Sequence, residues 1–170
     1  MMFELIDLNF MYFDCNSLMT KLEEIEYLLN DLNIGVGCLS ETFLKQNHDV
    51  AFKNYSFIRK DDPNTVRGGG VAIVVRNDFQ YVEMKLPNLK TISSACAIKL
   101  KCRNGFDIVV ASIYVKNCVK KIDSRDLAVL MRLGEKVIVA GDFNARNERW
   151  NCKSKNLRGT SLQNYIEQQN

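Results

Sequence analysis

Short apolar runs and amphipathic stretches alternate along this chain, and the period of each assigns an element. Leu5–Phe13 is rich in β-favouring residues and reads as a strand that ends at Asp14-Cys-Asn-Ser-Leu18. Thr20–Leu32 spaces Leu22, Ile25, Leu28, Leu29 and Leu32 at helical intervals, and Thr20 with Glu23 has the form of a capping box. Asn33 is expected to close that helix before the apolar strand Ile34–Ser40, which leads into Glu41-Thr42. Further strands are predicted at Tyr55–Ile58, Val71–Val75, Tyr81–Lys85, Ser94–Leu100 and Phe106–Val115. Between the first two of these, the polar connection Arg59–Gly70 contains Pro63 and ends in three glycines. A second amphipathic helix fits Asp123–Leu133, ahead of the strand Val137–Ala140. The tail, Thr160–Gln168, reads as a last helix with Leu162, Tyr165 and Ile166 turned inward. Hairpin-like connections mixed with crossovers predict a layered α/β fold rather than a purely parallel sheet. With 170 residues and no repeat or internal linker, the chain is expected to form one domain over 1–170.

Polar groups recur where these strands run out. The sharpest case is Val137-Ile-Val-Ala-Gly-Asp-Phe-Asn144, a run bounded by glycine that reads as a strand buried on both faces. Asp142 and Asn144 follow two residues apart and share one face of the extended chain. The first strand ends at Asp14 and Asn16, the second at Glu41, and the Phe106–Val115 strand at Tyr114 and Asn117. Taken singly, each has a bland explanation: a helix cap for Asp14-x-Asn16, an exposed strand end for Glu41, cross-strand packing for Tyr114, a turn for Asp142 and Asn144. Recurrence at four strand ends shifts the balance. Gathered together, these groups make a cup of hard oxygen ligands without imidazole or thiolate, which suits Mg²⁺ or Mn²⁺ and, through them, phosphate chemistry.

Composition narrows the field further. Residues 101–170 carry 13 Lys and Arg against 7 Asp and Glu, whereas the first hundred carry 10 against 13. Arg146, Arg149, Lys153, Lys155 and Arg158 cluster in one stretch opposed only by Glu148, a segment able to attract a polyanion or simply to be solvated. Six cysteines show neither a paired spacing nor metal-ligand spacing, which fits a reducing compartment better than a disulfide framework. His48 is the only histidine, which excludes His-rich zinc sites and most His-based triads within this sequence. No basic n-region precedes the first strand, and no apolar run approaches the roughly 20 residues that span a bilayer. The expectation is a soluble, intracellular protein without a membrane partner, nuclear when it acts on DNA.

Four segments in order carry a family resemblance: Cys38-Leu-Ser-Glu-Thr-Phe-Leu44, Arg67-Gly-Gly-Gly-Val-Ala-Ile73, Ser112-Ile-Tyr-Val-Lys-Asn117 and Gly141-Asp-Phe-Asn-Ala145. Together they resemble the endonuclease/exonuclease/phosphatase superfamily, specifically the apurinic-type endonuclease domain of jockey-like non-LTR retrotransposons. The Arg-Gly-Gly-Gly element and the later Asn-x-Arg-Gly at Asn156–Gly159 point to that branch. The resemblance implies a four-layer α/β sandwich, two packed mixed sheets flanked by helices, here missing its last strands. It implies Mg²⁺ (or Mn²⁺) as cofactor, DNA as partner, nicking that leaves a 3′-hydroxyl, and a reverse transcriptase domain in the full architecture.

The same resemblance implies roles position by position. Glu41 matches the metal-binding glutamate, with Asp14 as a second metal ligand and Asn16 beside it in the catalytic set. Asp142 matches the aspartate that aligns or deprotonates the attacking water, and Asn144 the amide that contacts phosphate. Tyr114 matches the phenol bonded to the scissile phosphate, with Asn117 nearby. Asn117, Arg146, Arg149, Lys153 and Arg158 are the expected DNA-contacting residues. Four departures stand out. The first strand ends Asp14-x-Asn16 rather than with a leading asparagine. Lys116 replaces a proline, which is expected to loosen its loop. Asn147 stands where the branch has a histidine. A terminal strand with Ser-Asp-His is not found before Asn170, and His48 is expected to be a surface residue rather than a displaced catalyst. The resulting expectation is weak or absent turnover until that segment is restored, with low solubility from an exposed sheet edge. The alternatives are a phosphatase or phosphodiesterase of the same superfamily, or a non-catalytic or domesticated nucleic-acid-binding fragment.

Overall fold

The computed structural model describes residues 8–62, 68–102 and 106–169. Its strands are β1 (Asn9–Asp14), β2 (Ile34–Ser40), β3 (Tyr55–Lys60), β4 (Val71–Arg76), β5 (Gln80–Met84), β6 (Ser94–Lys101), β7 (Asp107–Tyr114) and β8 (Val137–Asp142). Its helices are α1 (Leu22–Asp31), α2 (Ser124–Met131) and α3 (Leu157–Gln169), with short 3-10 turns at Leu18–Thr20 and Glu148–Trp150. The strands form two four-stranded sheets, ordered β1-β2-β4-β3 and β5-β6-β7-β8. Both sheets are mixed: β1 runs parallel to β2 and β7 parallel to β8, and the other pairs are antiparallel.

Three cores stack these layers. Val36 and Cys38 of β2 and Ile73 and Val75 of β4 interdigitate with Ile98, Leu100 and Val110 of the second sheet. Alternate residues of the first sheet, Leu39 and Val74 among them, point the other way onto Ile25 and Leu29 of α1. Ala111 and Ile113 likewise face Leu127 and Leu130 of α2, with Leu162 and Tyr165 of α3 packed at the edge. The order is therefore helix, sheet, sheet, helices: the four-layer sandwich that the resemblance implied. Because β2 and β7 are covered on both faces, they read as continuous apolar runs rather than alternating ones.

The strand predicted from Leu5 is described from Leu8 onward and becomes regular at Asn9. Asn33 does close the first helix, at φ 48°. The capping box does not form. Thr20 lies in a 3-10 turn with its hydroxyl donating to the Ser17 carbonyl at 2.8 Å, and α1 starts at Leu22 without a side-chain cap. The chain must first pass back under β2, where Ser17 and Leu18 donate backbone N–H groups to the Glu41 and Thr42 carbonyls, and that pairing displaces the helix start. In α3, Ile166 is 47 % exposed rather than inward. That helix begins at Leu157, and only its Leu162–Tyr165 face reaches the core.

β8 differs from the other core strands. All six of its residues are half-exposed, not buried on both faces as its apolar run predicted. It pairs with β7 on one edge, and no described strand pairs with the other. β1, at the neighbouring edge of the first sheet, leaves Phe10 and Tyr12 about two-fifths exposed (40 % and 42 %).

Candidate active site

Parallel pairing puts strand ends together. Asp14 is registered with Ser40, the residue before Glu41, and Tyr114 with Asp142. Sheet packing then brings the two ends face to face, helped by a buried bond from the Ser112 hydroxyl to the Leu39 carbonyl at 3.0 Å. One carboxylate oxygen each from Asp14, Glu41 and Asp142 lies within 4.8 Å of the other two, the one such acidic group among the described residues. A single cation could bridge all three.

The electrostatics fit that reading. None of the ion pairs among the described residues includes these three carboxylates. Burial holds the Asp14 and Glu41 carboxyls above their ordinary range, and the charge of Asp142 adds to it. The buried Tyr114 hydroxyl bonds the Glu41 carboxylate, and burial followed by that bond pushes its own titration upward. Tyr114 therefore stays protonated and acts as a hydrogen-bond donor. The Tyr12 hydroxyl, 2.8 Å from Ser40 Oγ, is raised in the same direction, first by burial and then by Asp14 and Asp142.

Asp142 is held by Asn144. The Asn144 backbone N–H donates to Asp142 Oδ1 at 2.7 Å, and its side-chain amide donates to Oδ2 at 2.8 Å and to the Val115 carbonyl at 2.9 Å. Asn144 sits at φ 46°, which makes this tight strap possible. Both side-chain amide hydrogens are thus committed within the protein. Here the amide grips the neighbouring aspartate.

Glu41 occupies a strained loop, with φ 51° at Glu41 and 53° at Phe43. Positive φ at a bulky residue costs of order 1–3 kcal/mol unless neighbours impose it. The glycine arm Gly68–Gly70 supplies that restraint: Gly70 and Gly69 carbonyls accept from the Thr42 and Phe43 N–H groups at 3.4 and 3.1 Å. A Cβ at Gly70, itself at φ 77°, would lie 2.5 Å from the Thr42 hydroxyl oxygen, so the arm approaches only as glycine. Arg67, the first residue of this motif, lies outside the described residues.

Lys116 does not loosen its loop. Its backbone N–H, which proline would lack, donates to Ser93 Oγ at 3.0 Å, and its ammonium pairs with Asp62 at 2.6 Å. Asp62 in turn packs against Gly69, so the substitution ties the β7 end to the glycine arm.

The remaining expected residues divide. Asn16, at φ 40°, donates its N–H to Asp14 Oδ1 at 3.3 Å in a local turn. That turn precedes α1 by six positions, so it is no helix cap. Arg146, Arg149 and Lys153 are exposed on the loop that follows Asp142, with Arg149 paired to Glu167 at 3.0 Å. Asn117 is exposed at the end of β7. Arg158 does not face solvent. It is 8 % exposed, with Nε donating to the Asn144 carbonyl and Nη1 to the Asn117 carbonyl, both at 2.7 Å. Nη1 also reaches the Val119 carbonyl and Nη2 the Asn117 side-chain oxygen. This departs from its expected role as a DNA contact: the side chain is nearly buried, and four of its five N–H donors are spent on oxygens of the protein. Asn147 is buried as well, its amide bonded to the Gly159 carbonyl and Gln163. His48 Nδ1 accepts from the Lys45 N–H in a separate turn, outside the acidic cluster.

Asn156 was overlooked as a site residue. It donates to the Asn144 carbonyl at 2.9 Å and accepts from the Gly159 N–H at 2.8 Å, capping α3. An asparagine immediately before a helix-forming segment, with its side chain in reach of the N–H three positions on, is the signal that could have found it.

Comparisons with known proteins agree with the geometry. A family model described as endonuclease-reverse transcriptase matches residues 108–170. The RNA-directed DNA polymerase from the mobile element jockey of Drosophila funebris is 26 % identical over 145 residues, covering 85 % of this chain and 16 % of that protein. The chain thus spans about a sixth of the length of the curated relative it matches. Among solved structures, the endonuclease domain of TRAS1, a telomere-specific non-LTR retrotransposon, superposes with TM-score 0.73 at 17 % identity, over 92 % of this chain and 68 % of that one. An AP endonuclease from Leishmania major gives TM-score 0.72 at 14 % identity, over 94 % and 66 %. Fold and strand-end cluster are similar to those of the endonuclease/exonuclease/phosphatase superfamily. Within it, the chain is similar to the endonuclease domain of jockey-like non-LTR retrotransposons.

Proposed function

We propose that this chain is a Mg²⁺-dependent endonuclease domain that nicks DNA, working beside a reverse transcriptase in the nucleus. The observation that carries the reading is the convergence of Asp14, Glu41 and Asp142 at one point with their oxygens within 4.8 Å. Three carboxylates with no ion-pair partner among the described residues repel one another, and a hard divalent cation is what such a donor set fits. Asp14 and Glu41 would hold that ion, which would polarise the phosphate and offset its charge. Tyr114 donates its hydroxyl toward the same corner and keeps the Glu41 carboxylate oriented. Asp142, gripped on both oxygens by Asn144, is fixed to accept a proton from the attacking water. Asn16 lines the Asp14 side.

The exposed Arg146, Arg149 and Lys153 follow Asp142 directly in sequence, and Asn117 flanks Tyr114. Together they favour a polynucleotide over a small phosphate ester, since several phosphates would be contacted at once.

Incubation with supercoiled plasmid tests the reading. Nicking that requires Mg²⁺ and is lost in Glu41→Gln and in Asp142→Asn is the expected result. Salt-sensitive DNA binding that persists in both variants, with no nicking in any, would replace it with a non-catalytic binding module.

A further inference from the structure

Arg158 and Asn156 converge on one atom, the carbonyl oxygen of Asn144, at 2.7 and 2.9 Å. Arg158 reaches at the same time to the Asn117 carbonyl at 2.7 Å, so its planar fork spans the loops that leave β7 and β8. Asn144 is the residue that fixes both oxygens of Asp142. Gly159 allows the approach: a Cβ there would lie 2.0 Å from the Arg146 carbonyl oxygen, inside any tolerable contact. The whole Asn-x-Arg-Gly segment is therefore turned toward the back of the acidic cluster.

We propose that Asn156 and Arg158 are positioning residues: they clamp the Asn144 carbonyl so that Asp142 is held in place before any cation or substrate arrives. The proposal rests on the site reading above only for what Asp142 is used for; the clamp itself is a property of the metal-free protein. A guanidinium suits this task because its donors diverge in one plane, whereas an ammonium presents all its donors from one atom. Charge alone would not reproduce it.

Hydrogen exchange of the metal-free chain tests the clamp directly, read at the Asn144 backbone N–H that bonds Asp142. In Arg158→Lys that amide should exchange at least about tenfold faster (an opening free energy lower by about 1.4 kcal/mol), with β7 amides such as Val110 unchanged. Asn156→Asp keeps the helix cap but loses the donor to Asn144, so it should act in the same direction and serves if Arg158→Lys does not fold. A Mn²⁺ titration should show affinity at least threefold weaker in both variants, and the salt dependence of DNA binding should keep the wild-type slope. Unchanged Asn144 exchange in folded Arg158→Lys, or rescue of all readouts by lysine, overturns the clamp. A DNA-binding slope reduced by about one phosphate in Arg158→Gln would instead make Arg158 a backbone contact. Wild-type protein that binds no Mn²⁺ would defeat the nuclease reading, while the exchange measurement would still decide the clamp.

Discussion

The Tyr114 hydroxyl and the Glu41 carboxylate meet across the sandwich, one from the end of β7 and the other just beyond β2. The bond spans two sheets and two chain segments more than seventy positions apart in the sequence. It closes one corner of the acidic cluster with a donor that burial keeps protonated.

Removing that donor should be costly for chemistry and mild for folding. Tyr114→Phe is expected to lower the Mg²⁺-dependent nicking rate about 10²-fold, in the range seen for loss of one oriented donor at a developing charge. Plasmid nicking timed against wild type, with melting temperature as the folding control, gives the answer.

The carboxylate cluster should make the metal-free fold sensitive to pH in an unusual direction. Asp14 and Glu41 titrate above their unfolded values, so the folded state holds more protons than the unfolded state between those values. Their contribution to stability is therefore lost as pH rises through that window, the reverse of a salt-bridged carboxylate. Melting curves between about pH 4 and 7 should show this trend, and Asp14→Asn should flatten it.

Divalent cation should restore what the repulsion removes. At a concentration near 100 times its dissociation constant, Mg²⁺ is expected to add about 2.7 kcal/mol, equivalent to roughly 5–10 °C in Tm. Calorimetry with Mg²⁺ and after chelation measures the shift. Glu41→Gln should abolish most of it, and a full shift in that variant would locate the ion elsewhere.

The Lys116 tie should be a net stabiliser of the loop. Lys116→Pro removes an N–H bonded to Ser93 and an ammonium paired with the nearly buried Asp62 carboxylate. A loss of about 1–3 kcal/mol in unfolding free energy is expected, measured by urea titration.

β8 is expected to make the chain associate. It offers Val137, Ile138 and Val139 half-exposed beside an edge that no described strand covers, next to exposed Phe10 and Tyr12. Light scattering should rise with concentration in the micromolar to millimolar range. Ile138→Lys should reduce it, while a monodisperse wild-type monomer throughout would contradict the expectation.

Much of this was legible along the chain, and for identifiable reasons. β2 was located to the residue because an uninterrupted apolar run between Asn33 and Glu41 has few other solutions. The four polar strand ends were visible because each breaks an apolar run abruptly. What failed were local rules overridden by packing. Thr20 and Glu23 satisfied a capping motif, yet the preceding turn pairs with the Glu41 loop and moves the helix start to Leu22. Arg158 looked like one more member of a basic cluster, because charge in a sequence carries no information about which way a side chain turns.

The order of residues, then, determined the elements, the mixed layering and the identity of the acids, since hydrophobic period and residue chemistry are local properties. Convergence was a different matter. Whether Asp14, Glu41 and Asp142 share a corner depends on which strands run parallel and how two sheets face each other, and both are settled by packing between distant segments. The same packing buried Arg158 behind Asn144 and left β8 half-open, because burial is decided by what covers a residue and not by the residue itself.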